Sequence, residues 1–207
     1  MPVIKKIKIE KGIISIWKWT ELPDQLKEMY PEYKKAKEFL KIKSHRRQIE
    51  WLTTRILLKN LCPDGIQLYH NDNGKPTIKS PDFSHISISH SKNMAGIFLS
   101  KKSHIGLDIE NSKRNFTRIT TKYLSKEELS LAGSIPNGFG LFWCIKEAAF
   151  KISNNPASNF IRQIKIMTDD NKQLSVKILS DNITYPVHYF IIEDEIVVYL
   201  TGEDNHF

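Results

Sequence analysis

Asp108 and Glu110 stand one strand repeat apart in Gly106-Leu107-Asp108-Ile109-Glu110. Side chains alternate faces along a strand, so Leu107 and Ile109 are expected in the core and the two carboxylates together on the other face. Placed so, they repel each other unless a cation lies between them, and hard oxygen donors suit Mg²⁺. A solvated strand edge would use the same residues. Further along, residues 142–152 read FWCIKEAAFKI. At about 100° per residue, Phe142, Ile145, Ala148, Ala149 and Ile152 form one apolar stripe. Trp143, Lys146, Glu147, Phe150 and Lys151 fall opposite it. Glu147 and Lys151 are four apart and can meet. Two large aromatics on a charged face indicate cover by a neighbour or ligand; an ordinary salt-bridged surface helix is the alternative.

A second set of residues has the character of an anion site. Ser89-His90-Ser91 ends an expected strand, where hydroxyls and an imidazole can cradle a phosphate, although turns share this composition. A serine nucleophile beside His90 is conceivable, but no Gly-x-Ser-x-Gly surrounds it. In Asn73-Gly74-Lys75-Pro76 a tight, proline-stiffened turn would hold Lys75 in a fixed place, useful for a phosphate or merely a hairpin loop. Arg47, Trp51 and Arg55 recur at one-turn spacing and form a basic stripe on a helix, or a solvated face with a half-buried Trp.

These residues need elements to position them. Alternation over residues 3–18 predicts one or two strands. Residues 21–42 read as helical with a new start at Pro31, and Ser44 caps a stronger helix over 45–61. Pro63-Asp64-Gly65 ends that helix. Short strands are expected near 66–70 and 76–79, then at 84–89, 94–100 and 104–110. Ser125 and Glu128 form a capping box for a helix over 125–132, and a second helix spans 138–153. Residues 160–201 read as three or four strands with turns at 169–172, 180–184 and 193–195. The plan is α+β, with a seam near 101–103 between halves of similar size.

The 207 residues are 40% hydrophobic and 26% charged, which excludes a disordered or collagen-like chain. No apolar run nears the roughly 18 residues that span a bilayer. The opening MPVIKKIKIEKG lacks a signal peptide's apolar stretch. Two distant cysteines, Cys62 and Cys144, make no metal pattern and fit a reduced, cytoplasmic setting. A net charge of +8 favours an anionic partner: nucleic acid, a phosphorylated metabolite or an acidic protein. The lysines are dispersed, so a solvated surface explains most of them.

Taken in order, Gly74-Lys75-Pro76, Ser89-His90-Ser91, Gly106-Leu107-Asp108-Ile109-Glu110 and Trp143-x-x-Lys146-Glu147-Ala148-x-x-Lys151 resemble the 4′-phosphopantetheinyl transferases of the Sfp type. The resemblance covers about residues 45–152. It implies two similar α/β halves, 1–102 and 103–207, related by a pseudo-two-fold with the active site in the seam. It also implies a monomeric enzyme that moves the phosphopantetheine arm of coenzyme A (CoA) to a serine of an apo acyl or peptidyl carrier protein. Adenosine 3′,5′-bisphosphate is the other product. The carrier's pathway (fatty acid, polyketide, siderophore or nonribosomal peptide) stays open.

On the same resemblance, Asp108, Glu110 and Glu147 hold Mg²⁺. Glu147, directly or through a metal-bound water, takes the serine proton, and Lys151 stabilises or protonates the leaving phosphate. Ser89 and His90 contact CoA phosphates, with Lys75 and Arg47 aiding its 3′-phosphate end. Trp143 packs under the site, and Lys146 matches the motif without an assigned role. Lys113, Arg114, Lys122 and Lys126 mark 113–126 as the segment meeting an acidic carrier. A nucleic-acid binder would leave the three acids unexplained. A CoA- or carrier-binding protein without catalysis would have no use for them.

Overall fold

The computed structural model describes residues 3–10, 12–63, 65–101, 103–153 and 159–202. Asp64 and Lys102, at the expected helix stop and seam, fall outside these. The chain divides into two compact units, Met1–Lys101 and Lys102–Phe207.

In the first unit, strands β1 (Val3–Ile9) and β2 (Gly12–Lys18) form an antiparallel pair. The segment expected to be helical is broken into α1 (Pro23–Met29), a 3₁₀ turn (Pro31–Lys35) and α2 (Lys37–Leu40). Pro31 enforces the first break, because its ring removes a donor and clashes with the preceding turn. Helix α3 (His45–Leu61) is the long element, capped by the Ser44 hydroxyl accepting from the Arg47 backbone N–H. The hairpin β3 (Gln67–His70) and β4 (Pro76–Lys79) follows, then β5 (His85–His90) and β6 (Met94–Ser100). The main sheet has the order β1-β2-β6-β5, antiparallel throughout. Leu52, Ile56 and Leu57 of α3 join Trp17, Ile86, Ala95, Ile97 and Leu99 in one core.

The second unit opens with β7 (Ile105–Asn111), a 3₁₀ turn (Thr117–Ile119), α4 (Thr120–Tyr123) and α5 (Lys126–Gly133). The Ser125/Glu128 capping box forms as expected. Helix α6 (Gly138–Ile152) and short α7 (Phe160–Gln163) precede five strands, β8 (Ile164–Thr168), β9 (Leu174–Ile178), β10 (Ile183–Pro186), β11 (His188–Ile192) and β12 (Glu195–Thr201). Three or four strands were expected; Pro186 and Val187 divide the last stretch before β12 into two. The strand orders are β10-β9-β8 and β11-β12-β7. The architecture is thus mixed α+β with several antiparallel sheets. No helix among the described residues is long and apolar enough to cross a membrane.

Packing of α6 on β7 positions the acids. A Cβ at Gly106 would lie 2.1 Å from the Ala148 carbonyl oxygen, so only glycine lets strand and helix approach this closely. Gly106, Asp108 and Glu110 therefore face α6, and their β12 partners Leu200, Val198 and Ile196 join its core. Leu107 and Ile109 are fully buried, as expected, and lie on the face opposite the two carboxylates. A strand buried on both faces gives no alternation from which to choose its helix side.

Candidate active site

In the second unit, the carboxylates predicted from sequence are neighbours with Lys151 and Trp143. Asp108 is buried at 5% exposure, which removes the solvated-edge alternative. Lys151 Nζ donates to Asp108 Oδ1 at 2.8 Å and to the Leu107 carbonyl at 2.9 Å. One ammonium thus ties the end of α6 to the middle of β7. Trp143 Nε1 donates to Glu110 Oε1 at 3.0 Å, and the Arg114 guanidinium pairs with that same oxygen. The indole also packs edge-on against Tyr123 and tilted against Phe160, which fixes its direction. Trp143 and Phe150 lie on the charged face for this reason: Phe160 of α7 packs against both rings.

Electrostatics separate the acids. Burial pushes Glu147 up to about 7, and the nearby Asp108 charge adds to this. Glu110 is raised by burial and then by Asp108, against the pull of Arg114, Trp143 and Lys151. Cys144, fully buried under the same face, has its thiol pushed up by desolvation and the two carboxylates of β7. A carboxyl that titrates near neutrality can be either a proton acceptor or a donor at physiological pH.

Lys146 departs from the expected face. It is fully buried, with Nζ donating to Glu128 Oε2 at 2.7 Å, the Ile164 carbonyl at 2.9 Å and the Phe160 carbonyl at 3.2 Å. Glu128 in turn accepts from the backbone N–H groups of Ser125 and Ile166. An ammonium has three donors, and all three are used. Its place in the motif is architectural: it joins α6 to α5, α7 and β8. A helical wheel puts it beside Glu147, but a long side chain can turn back into the interior when a buried carboxylate awaits it.

The metal question turns on the donor set. Three carboxylates, of which Glu147 and Glu110 are raised by burial and then by the Asp108 charge, fit a hard divalent cation in chemistry. Among the described residues, however, no three acidic, histidine or cysteine side chains are already grouped to hold one. Asp108 and Glu110 are instead directed onto Lys151 and Arg114. The internal cations do part of what an ion between the acids would do.

The first unit holds the other predicted set. Ser89 is buried and His90 half-buried at the end of β5. His90 Nε2 lies 3.0 Å from Thr54 Oγ1 of α3. The Thr54 hydroxyl proton goes to the Glu50 carbonyl at 2.7 Å, so its oxygen is the acceptor here and His90 Nε2 carries the hydrogen. Trp19 stacks on His90 at 6.3 Å between centroids. Arg46 reaches the same strand end, donating to the Ser91 carbonyl at 3.1 Å and to Glu50 at 3.0 Å. Arg47, its neighbour, is exposed on the first turn of α3. Lys75 sits on the β3–β4 turn, where Asn71 Oδ1 accepts its backbone N–H at 2.8 Å and Gly74 takes φ of 76°. Thr54 and Arg46 were not singled out by sequence, and Arg114 was placed only in the segment expected to meet the carrier. Arg55, one of the basic stripe, instead lies 3.5 Å over the Trp51 ring, and burial lowers it to about 10.

Comparison with known families bears on the acidic cluster directly. Residues 104–201 match the model of the 4′-phosphopantetheinyl transferase superfamily. The second unit carries a domain of that superfamily. The matched span contains Asp108, Glu110, Glu147 and Lys151 and both sheets that frame them. No curated protein matches the chain.

Proposed function

We propose that this transferase-superfamily protein moves the 4′-phosphopantetheine arm of CoA to the serine of an apo carrier protein, as a magnesium-dependent monomer. The two-halves arrangement implied by the resemblance belongs to this reading. The observation that carries it is the junction of α6 with β7: Glu147, a carboxyl titrating near 7, beside Asp108, with Lys151 already anchored on the same acid.

In the reaction the serine oxygen attacks the phosphorus that bears the pantetheine arm. A new P–O bond forms to serine, and the P–O bond to the departing adenosine 3′,5′-bisphosphate breaks. Glu147 accepts the serine proton, which its raised pKa allows at neutral pH. Lys151 stabilises the leaving phosphate, its ammonium held in place by the Leu107 carbonyl. A divalent cation held by Asp108, Glu110 and Glu147 would supply charge neutralisation at the pyrophosphate. Ser89 and His90 bind CoA phosphates, and Lys75 with Arg47 serves the 3′-phosphate. Trp143 orients Glu110.

Mass spectrometry of apo carriers mixed with CoA, Mg²⁺ and this protein tests the reading. A gain of one phosphopantetheine arm that needs Mg²⁺ is expected. CoA binding without any transfer to fatty-acid, polyketide or peptide-synthetase carriers would mark a binding protein instead.

A further inference from the structure

Arg114 belongs to none of the motifs that reveal the acidic cluster, yet it holds one of its acids. The turn after β7 aims it there. The Arg114 backbone N–H donates to the Asn111 carbonyl at 3.0 Å, and Asn111 Oδ1 accepts from Lys113 N–H at 3.0 Å. The chain thereby folds back, and the guanidinium comes over Glu110. Two rings flank it: its central carbon lies 5.1 Å from the Phe116 centroid and 5.3 Å from that of Trp143. Such cation–π contacts favour a cation at this spot. Lys113, beside it in sequence, turns away to Asp194 at 2.6 Å.

Glu110 Oε1 therefore takes two donors, the Trp143 indole and the Arg114 guanidinium. The indole is neutral and can remain as an orienting group when the carboxylate binds an ion. The guanidinium cannot remain so easily, because two cations on one carboxylate oxygen repel each other. We propose, building on the metal reading above, that Arg114 is a built-in counter-ion for Glu110 which a divalent cation has to displace, so that this residue sets the metal affinity of the site. Lys151 has a different standing. Its second bond, to the Leu107 carbonyl, holds it to β7 whatever happens at Asp108. Arg114 is surface-exposed, so it can swing aside at little cost in packing.

Terbium(III), a hard oxygen-seeking cation, gives a readout independent of transfer, because Trp143 beside Glu110 can sensitise its luminescence. Titration of the full chain without CoA or carrier should show saturable binding that Asp108→Ala abolishes. Arg114→Gln and Arg114→Ala should each bind Tb³⁺ about two- to fivefold more tightly than the parent, the scale of losing a partly exposed ion-pair competitor. Arg114→Lys, which retains the charge, should stay near the parent. Melting curves of the exposed-site variants check that they fold. Unchanged or weaker binding in both neutral variants, with the parent binding normally, overturns the counter-ion role and leaves the metal site standing. No Asp108-dependent binding in any form overturns both together.

Discussion

Two strand–helix junctions carry the candidate chemistry, one in each unit, and they are built differently. At the first, β5 meets α3 through a hydroxyl–imidazole contact, Thr54 with His90, with cations placed at exposed rims. At the second, β7 meets α6 through charges: Asp108 with Lys151, Glu110 with Arg114, and Glu147 raised by burial and then by Asp108. Neutral hydrogen bonds orient a ligand contact without shifting proton affinities much. Clustered, half-buried charges shift them strongly, which is what proton transfer needs and what anchoring a phosphate does not. On the proposed reading, binding falls to the first junction and bond-making to the second.

The strongest way to break that assignment is to remove Lys151. Lys151→Ala should lower kcat by about 10²- to 10⁴-fold, the range for losing a positioned acid or charge stabiliser, with CoA binding little altered. A thermal shift by CoA that survives in the inactive variant separates the two effects. If kcat stayed within a few-fold and the CoA KM rose instead, the second junction would be a binding site like the first.

Lys146 sharpens the comparison from inside the same helix. On the proposed reading two of the three charged groups of its motif, Glu147 and Lys151, act at the site, while Lys146 braces the fold. Lys146→Ala leaves Glu128 buried without its counter-ion and should cost about 3–5 kcal/mol of stability. Chemical denaturation measures this, and the folded fraction should keep its CoA affinity. A stable but inactive Lys146→Ala protein would place this lysine at the chemistry instead.

A third effect follows from Glu147. Its carboxyl goes from about 4.5 unfolded to about 7 folded in the metal-free protein. The folded state then binds the extra proton between these values, so this group favours folding fully below about 4.5 and loses that contribution as pH rises through 7. Above pH 7 the buried carboxylate is a burden. Glu147→Gln, in EDTA, should therefore melt several degrees higher than the parent at pH 8 and show no such gain at pH 4. Equal melting temperatures at both pH values would mean that Glu147 is not desolvated.

The first junction should answer more mildly. His90→Ala should raise the CoA KM about tenfold while kcat holds, as for loss of an interaction made equally in ground and transition states. Thr54→Val, which removes the acceptor of His90 Nε2–H, should reproduce part of that rise. A fall in kcat alone in His90→Ala would move this imidazole to the chemical step.

How much of this was legible in the sequence differs between the junctions for the same physical reason. Charged groups at fixed spacing leave a pattern: strand and helix periods showed which faces Asp108, Glu110, Glu147 and Lys151 share, while their roles came from the resemblance of the motifs taken together. That Asp108 is buried as well as Leu107 was not legible, because alternation says which residues share a face but not whether the second face is covered. Lys146 was misplaced because a wheel records where a side chain starts, not where a four-carbon stem ends. Thr54 and Arg46 depend on how α3 lies on β5, a non-local contact that no local spacing encodes. The long helices and their caps at Ser44 and Ser125 were legible, since a cap is decided by adjacent residues. The interrupted 23–40 segment was less so, as short helices owe their ends to tertiary packing.

The smallest expected effect concerns the carrier, and the structure changes how to look for it. The basic segment 113–126 was the sequence's candidate for meeting an acidic protein, but its members are not equivalent. Lys113 is committed to Asp194 and Arg114 to Glu110, so reversing either charge would disturb the unit's own pairs before it disturbed a partner. Lys122 and Lys126 are both exposed, at the end of α4 and the start of α5. Exposed rim charges act mainly on association rate, and salt screens them over roughly 8–10 Å at about 0.1–0.15 M. Reversal of Lys122 and Lys126 to Glu should therefore raise the carrier KM by about two- to fivefold at low salt, with the CoA KM unchanged and the difference fading as salt is added. Steady-state kinetics at two ionic strengths measures it. An unchanged carrier KM at low salt would place docking elsewhere and return these lysines to an ordinary solvated surface. A change in the CoA KM of the same size would mean that the two lysines steer the nucleotide, and the division of binding from chemistry between the junctions would need redrawing.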